Sequence, residues 1–393
     1  MKLLEDLYIA YYGARRNKRN KIEQLEFELN LEDNLLKLYR QLKNRSYVQG
    51  NNAVFIINHP VKREIFAAPF ADRVIHHLYY NYVSGIFERT FITDSYSCRK
   101  GKGTMYGIKR LDHHLRSCSE NYKKDCYVLK LDISGYFMSI NRDLLLKMVL
   151  QTLNHYRNYL NSGGINNETE TDYDLLEYLS RVLIDKDPVK DCVLRCDSNK
   201  WTGLPRDKSL FTAQTGCGLP IGNLTSQLFS NVYLNEFDQY VKRDLKIKHY
   251  GRYVDDFYLI HGSKTELKNL IPRIKTFLAD RLKLTLHPKK IYLQHIARGV
   301  PYLGVFIKPH RIYIQKRTIK GLRKTLRKGC EALPDDIDGI RQSINSYMGL
   351  MKHYKTKKIR RSLLRKYCGI FRYGSISADI ERFRADENNI YRK

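Results

Sequence analysis

Acidic residues are scarce in this chain of 393 residues: 41 Asp and Glu stand against 70 Lys and Arg, for a formal net charge of +29. That imbalance is far from the composition of an ordinary cytosolic enzyme. It implies either a polyanionic partner or a surface that is merely solvated, and 30 Tyr and 15 Phe, able to stack beside the cations, favour nucleic acid. Long hydrophobic runs are also missing. The longest uncharged stretch, Ser209 to Asn235, is broken by Gly216, Gly218, Pro220 and Gly222, so it does not read as a membrane span. The start, MKLLED, has no apolar core of a secretory signal, and a cytoplasmic location is expected. Cysteines are few and scattered (98, 118, 126, 192, 196, 217, 330, 368). Only Cys192 and Cys196 are close and no second pair matches them, which argues against a zinc site and for reduced thiols. There is no fixed-period repeat and no low-complexity tract.

What is present supports a large folded body: 42% hydrophobic and 12% aromatic residues suffice for a packed core, and the length allows one or two appendages. The basic run from Gly13 to Lys21, with ARRNKR at 14–19, is either a solvated helix face or an arm that contacts phosphates. An amphipathic segment follows over 25–42. Helical patterns are read at 73–90, from 141, at 265–282, and from 224, where apolar residues recur at 224, 228, 232, 237, 241 and 245. Short β-rich runs lie at 127–133 and 291–294, and hairpins are expected at 250–260 and 301–315. Residues 161–222 are rich in Gly, Asn, Asp, Ser and Pro and read as an irregular insertion. Beyond 315 the chain reads as helical and basic to its end, with Pro334-Asp335-Asp336 opening a segment whose apolar residues at 337, 340, 344, 347 and 351 mark a buried face.

Two features could carry phosphoryl-transfer chemistry: Asp132 at the end of a strand, and Asp255 with Asp256 on a hairpin. If the two strands are neighbours, the carboxylates converge on a site for two Mg2+ ions, hard cations that prefer oxygen ligands. An isolated Asp-Asp pair is usually a solvated turn. Here Tyr253 and Val254 precede it and FYLI (257–260) follows, so two adjacent acids sit among strand residues, which is costly unless a cation offsets their repulsion.

Tyr253-Val254-Asp255-Asp256 resembles the polymerase signature of reverse transcriptases, and other segments of that family stand in the expected order. REIFAAPFADR (63–73) and FITDSYSCRKGKGT (91–104) are similar to the two fingers motifs. LDISGYF (131–137), GLPIGNLTSQ (218–227) and LHPKK (286–290) are similar to palm motifs, and Tyr302-Leu303-Gly304 to the primer-grip turn. The series spans residues 63–304 and is far more specific than any one motif. The resemblance implies an α+β right-hand polymerase: a basic N-terminal extension (1–50), fingers and a palm of antiparallel sheet packed on helices (51–307, with an insertion at about 161–215), and a basic helical thumb (308–393). It implies an RNA-directed DNA polymerase that uses deoxynucleoside triphosphates and two Mg2+, with Mn2+ as a substitute, and binds template RNA and an RNA:DNA hybrid. Asp132 and Asp255 would ligate both ions, with Asp256 a weaker ligand or an electrostatic support. Lys290 would protonate the leaving pyrophosphate, although adjacent Lys289 leaves the register open. Phe137 would exclude a 2′-hydroxyl, or is a plain core Phe. Arg63 would clamp the triphosphate, with Lys62 and Lys100 as helpers or as bulk phosphate contacts. Gly222 and Gly218 would let the backbone approach the nascent base pair.

One departure narrows the resemblance. Most reverse transcriptases carry Gln where this chain has Ile221, and an apolar side chain cannot donate the hydrogen bonds that hold nucleotide and template. Together with GCGLPIGNLTSQ (216–227) and the basic block at 14–19, it resembles the enzymes of bacterial and phage diversity-generating retroelements. Those copy a template-repeat RNA with errors at adenines, work with a small basic, oligomeric accessory variability protein, and support mutagenic retrohoming. SYMGLMKH (346–353) resembles the thumb of intron-type enzymes, and the residues beyond 307 are too few for a ribonuclease H domain as well. Two other readings keep the residues and change the role: a reverse-transcriptase-like antiphage defence protein, and a non-catalytic RNA-binding scaffold.

Overall fold

Apolar residues at helical spacing on the first helix, Leu7, Ala10, Tyr11 and Ala14, are all buried, so the N-terminal segment is bound into a core by its own sequence. A computed structural model describes residues 2–16, 21–58, 61–162, 172–331 and 337–386. The part of the basic run at 17–20, and Pro334 to Asp336, lie outside the described residues. The chain divides into two compact units, residues 1–110 with 129–293, and residues 111–128 with 294–393. Helix α1 (Lys2–Arg15) packs on α4 (Phe70–Glu88), and Phe27 of α2 (Ile22–Leu29) meets Phe70 edge-on at 5.2 Å between ring centroids. The expected 25–42 helix is two helices, because Asn30 (φ −129°, ψ 52°) breaks the path before α3 (Leu31–Lys43).

In the first unit β1 (Ala53–Ile57) and β2 (Arg63–Ala67) form an antiparallel hairpin, opposing Ala53 to Ala67 and Ile57 to Arg63. Helix α5 (Thr104–Cys118) leads out of this unit, and β3 (Tyr127–Leu131) returns to it. Then follow α6 (Tyr136–Ser139), α7 (Arg142–Asn161), α8 (Tyr173–Asp185) and β4 (Val193–Leu194), which adds to β1 in parallel. The insertion is thus not irregular throughout: Leu175, Leu176, Leu179 and Leu183 give α8 a buried face, and Asp172 caps it by accepting from the Leu175 N–H at 2.8 Å. Helix α9 (Leu224–Gln239) is buried nearly all round. Strands β5 (His249–Tyr253) and β6 (Asp256–His261) form the expected hairpin, α10 (Lys264–Leu282) follows, and β7 (Tyr292–His295) completes a four-stranded sheet ordered β5-β6-β3-β7. Tyr250, Phe257 and Phe237 of α9 pack ring against ring on this sheet.

The second unit opens with a three-stranded meander, β8 (Val300–Tyr302), β9 (Val305–Lys308) and β10 (Arg311–Ile314), where a single hairpin was expected. Pro309 with His310 at φ 60° makes the second turn, a pairing suited to a type II geometry. Helices α11 (Lys316–Glu331), α12 (Ile337–Met351) and α13 (Lys357–Lys366) follow. Helix α11 buries Thr318, Leu322, Leu326 and Gly329 and leaves its lysines and arginines on the other faces. The chain does not stay helical to its end: β11 (Gly374–Ile376) and β12 (Phe383–Ala385) pair antiparallel. No helix among the described residues is long and apolar enough to cross a membrane.

Candidate active site

β3 and β6 are neighbours, which places Asp132, just after β3, beside Asp255 and Asp256 at the start of β6. The two-residue turn Val254-Asp255 joins β5 to β6, with Tyr253 opposite Asp256. Val254 sits at φ 58°, a region a β-branched residue rarely enters, so the turn is strained where the carboxylates meet. Burial, then the charge and hydrogen-bonding reach of Asp132, and finally the charge of Asp256, push the Asp255 pKa up to about 7. Asp132 pairs with the Lys290 ammonium, and Asp256 with that of Lys130 at 3.3 Å.

The path that brings Lys290 to Asp132 is a backbone one. Ser134 N–H donates to Thr285 O and His287 N–H to Asp132 O, so the segment 285–287 lies along 132–134. Of the two adjacent lysines, it is Lys290 whose ammonium reaches the carboxylate. Among the described residues no three His, Cys, Asp or Glu side chains gather closely enough to hold a metal ion. The pair Asp132 and Asp255 nevertheless suits a divalent cation: the proton affinity of Asp255 records a repulsion that a cation relieves, and Mg2+ commonly takes only one or two protein carboxylates with substrate phosphates and water completing its shell. Asp256 is held by Lys130 and does not complete a three-carboxylate cluster.

A second group forms around an apolar cluster. Val54, Phe66, Met138 and Leu210 are its buried members, and Phe137 and Ile221 pack against it. Phe66 N–H donates to Ile221 O at 2.9 Å, and Leu219 N–H to Phe137 O at 2.8 Å, which ties the 218–222 segment to β2 on one side and α6 on the other. Gly222 (φ 140°) serves this approach: a Cβ there would lie 2.4 Å from Phe66 O. At Gly218 it would lie 2.4 Å from Leu210 Cδ2. The close approaches described for these glycines are to atoms of the protein itself.

No described hydrogen bond or ion pair joins Arg63, Lys62 or Lys100 to the carboxylates. Arg63 and Lys100 are exposed, and Lys62 donates to Thr202 O at 2.6 Å. Glu64, next to Arg63, points the other way and accepts from Trp201 Nε1 (2.6 Å), Ser209 Oγ (2.8 Å) and Leu210 N–H (2.7 Å), fastening the insertion to β2. Sequence reasoning missed Glu64 and Lys130, and it missed the buried ion pair of Arg252 with Asp238 (2.7 Å) beneath the carboxylates. The only sequence signal for that pair is that Asn231 and Asp238, two helical turns apart on α9, share a face.

A family model described as reverse transcriptase (RNA-dependent DNA polymerase) matches residues 62–307, more than half of the chain. Protein YkfC of Escherichia coli (strain K12) is 24% identical over 288 residues, covering 64% of this chain and 62% of that protein. The group II intron-encoded protein LtrA of Lactococcus lactis subsp. cremoris is 33% identical over 100 residues, 25% of this chain and 17% of that protein. The chain thus spans about three fifths of the first relative and less than a fifth of the second. Among solved structures, telomerase from Candida albicans in complex with a TWJ fragment of telomeric RNA aligns over 88% of this chain and 59% of that chain, at 11% identity and a TM-score of 0.48.

Proposed function

The chain belongs to the reverse transcriptase family, and from that membership we propose that it is an RNA-directed DNA polymerase that builds cDNA on a template RNA, serving a diversity-generating retroelement. The observation that carries the polymerase reading is the meeting of Asp132 and Asp255 from neighbouring strands, with the proton affinity of Asp255 raised by burial and then by that encounter. Two Mg2+ ions bound there would lower the pKa of the primer 3′-hydroxyl and neutralise charge on the leaving pyrophosphate. The chain's own part is positional and electrostatic. Asp132 and Asp255 supply the negative oxygens, and Lys130 offsets part of the charge that Asp256 adds beside them. Lys290 holds an ammonium proton beside Asp132, a proton it can pass to pyrophosphate. Phe137, braced by the apolar cluster, offers a ring against which a 2′-hydroxyl would lose its hydrogen bonds, so deoxynucleotides are preferred. Arg63, exposed at the mouth of β2, is the proposed triphosphate clamp, with Lys62 and Lys100 in supporting roles. The second unit, with its basic α11 and α13, is the proposed thumb for the RNA:DNA hybrid.

Ile221 supports the retroelement role. It packs beside Phe137 on the same cluster and has no donor to offer a nucleotide or template base. Sequencing of cDNA made on the native flanking RNA, in the presence of the proposed accessory protein, tests this reading. The expected result is misincorporation concentrated at template adenines, reduced about 5–10-fold by Ile221→Gln, the worth of one added hydrogen bond. An even error spectrum, or one the substitution leaves unchanged, contradicts it.

A further inference from the structure

We propose that Arg252 is a positioning residue that fixes the strained Val254-Asp255 turn for metal binding. The proposal rests on the polymerase reading above.

A guanidinium has five N–H donors in a fixed planar fork, and in Arg252 all five are used. Nε donates to Asp238 Oδ1 (2.8 Å), and Nη2 to Asp238 Oδ2 (2.7 Å) and Ser95 Oγ (3.2 Å). Nη1 donates to Asn231 Oδ1 (3.3 Å) and to Val254 O (3.0 Å). The side chains of Arg252 and Asp238 are 1% and 0% exposed, so these bonds are made in a site shielded from water, where each unmade one is expensive. Four of the five acceptor atoms belong to the framework: Asp238 and Asn231 on α9, and Ser95 on a segment that lies along β5, with Arg252 N–H donating to Asp94 O and Tyr96 N–H to Arg252 O. The fifth is the carbonyl of the residue in the left-handed conformation immediately before Asp255. The fork therefore carries the rigidity of a buried helix to the peptide that orients Asp255. A lysine, with three donors and no fork, could keep the charge pair but not the whole set.

This role separates from a merely structural one because replacing a buried ion pair with apolar groups of similar volume is often neutral or stabilising. The triple variant R252M/D238L/Y250F removes the pair together with the Tyr250 hydroxyl that donates to Asp238. In the full chain the thermal midpoint is expected to stay within about 2 °C of wild type, a shift worth about 1 kcal/mol. Mn2+ affinity, followed by loss of the free-ion EPR signal, is expected to weaken by about 10-fold or more, as for other residues that orient metal ligands. The Mg2+ concentration for half-maximal primer extension should rise in parallel, with KM for deoxynucleotide within about twofold, since ligand orientation rather than nucleotide binding is lost. A folded triple variant with wild-type Mn2+ affinity overturns the proposal. If the triple variant does not fold, Arg252→Lys takes its place: about 10-fold weaker Mn2+ binding is again expected, and wild-type binding again overturns the proposal. A wild-type chain that binds Mn2+ but extends no primer overturns the polymerase reading instead, and the Mn2+ comparison still judges Arg252.

Discussion

Charge on a buried or half-buried side chain is costly unless a partner answers it, and the residues of the first unit differ in what that partner is. Arg252 has Asp238, Asp256 has Lys130, and Asp132 has Lys290. No described ion pair joins Asp255 to a cation: burial first, and then the charge of Asp132, push its pKa up to about 7, and in the proposed function a bound ion would offset that cost. His76 solves the same problem by staying neutral. It is buried on α4, its Nδ1 meets Thr225 Oγ1 at 2.7 Å, and burial, with His77 and Arg73 nearby, pushes its pKa down from 6.5 to about 3. A His depressed in the folded state takes up its proton first in the unfolded chain. Its contribution is therefore complete above pH 6.5 and is lost progressively as the pH falls towards 3. Urea midpoints measured at pH 7 and pH 5 should differ more in wild type than in His76→Gln; equal differences would show that another group governs the acid limb.

At the scale of elements, periodicity and turn chemistry made much of the first unit legible. The α9 spacing, the β5–β6 hairpin and the strand before Asp132 stand where the sequence pattern puts them, because each announces itself within a dozen residues. Helix α8 was hidden by its surroundings: the Gly- and Asn-rich flanks dominate the composition of 161–222, although its leucines and its Asp172 cap are regular. Asp172→Ala should cost about 1 kcal/mol from the lost cap, with little more from its exposed pair with Arg45. A denaturant midpoint that does not move would mean that α8 contributes nothing to the cooperative fold. Strands β11 and β12 were missed because they are three residues each, too short for alternation to show. The Arg252 network was illegible for a different reason. Its partners come from α9, from the 94–96 segment and from the turn after β5, and no spacing along the chain records that convergence.

Over the whole molecule, +29 is not spread without purpose around a few acids. The first unit holds the carboxylates with lysines on two of them, and the second presents basic helices whose apolar stripes are turned into its own core. The basic block at 14–19, half of it outside the described residues, is entered from a helix that is part of the first unit's core and not from a separate appendage. Such a division of labour suits an enzyme that grips a polyanion broadly and performs chemistry at one point. In the proposed function this point is the pair Asp132 and Asp255. Single-turnover extension of a DNA primer on an RNA template, with Mg2+ and deoxynucleotides, tests it most directly when wild type is set against Asp255→Ala. Extension by wild type is expected, with a loss of at least about 10³-fold in the variant and primer–template binding retained. Extension that persists in Asp255→Ala would contradict it.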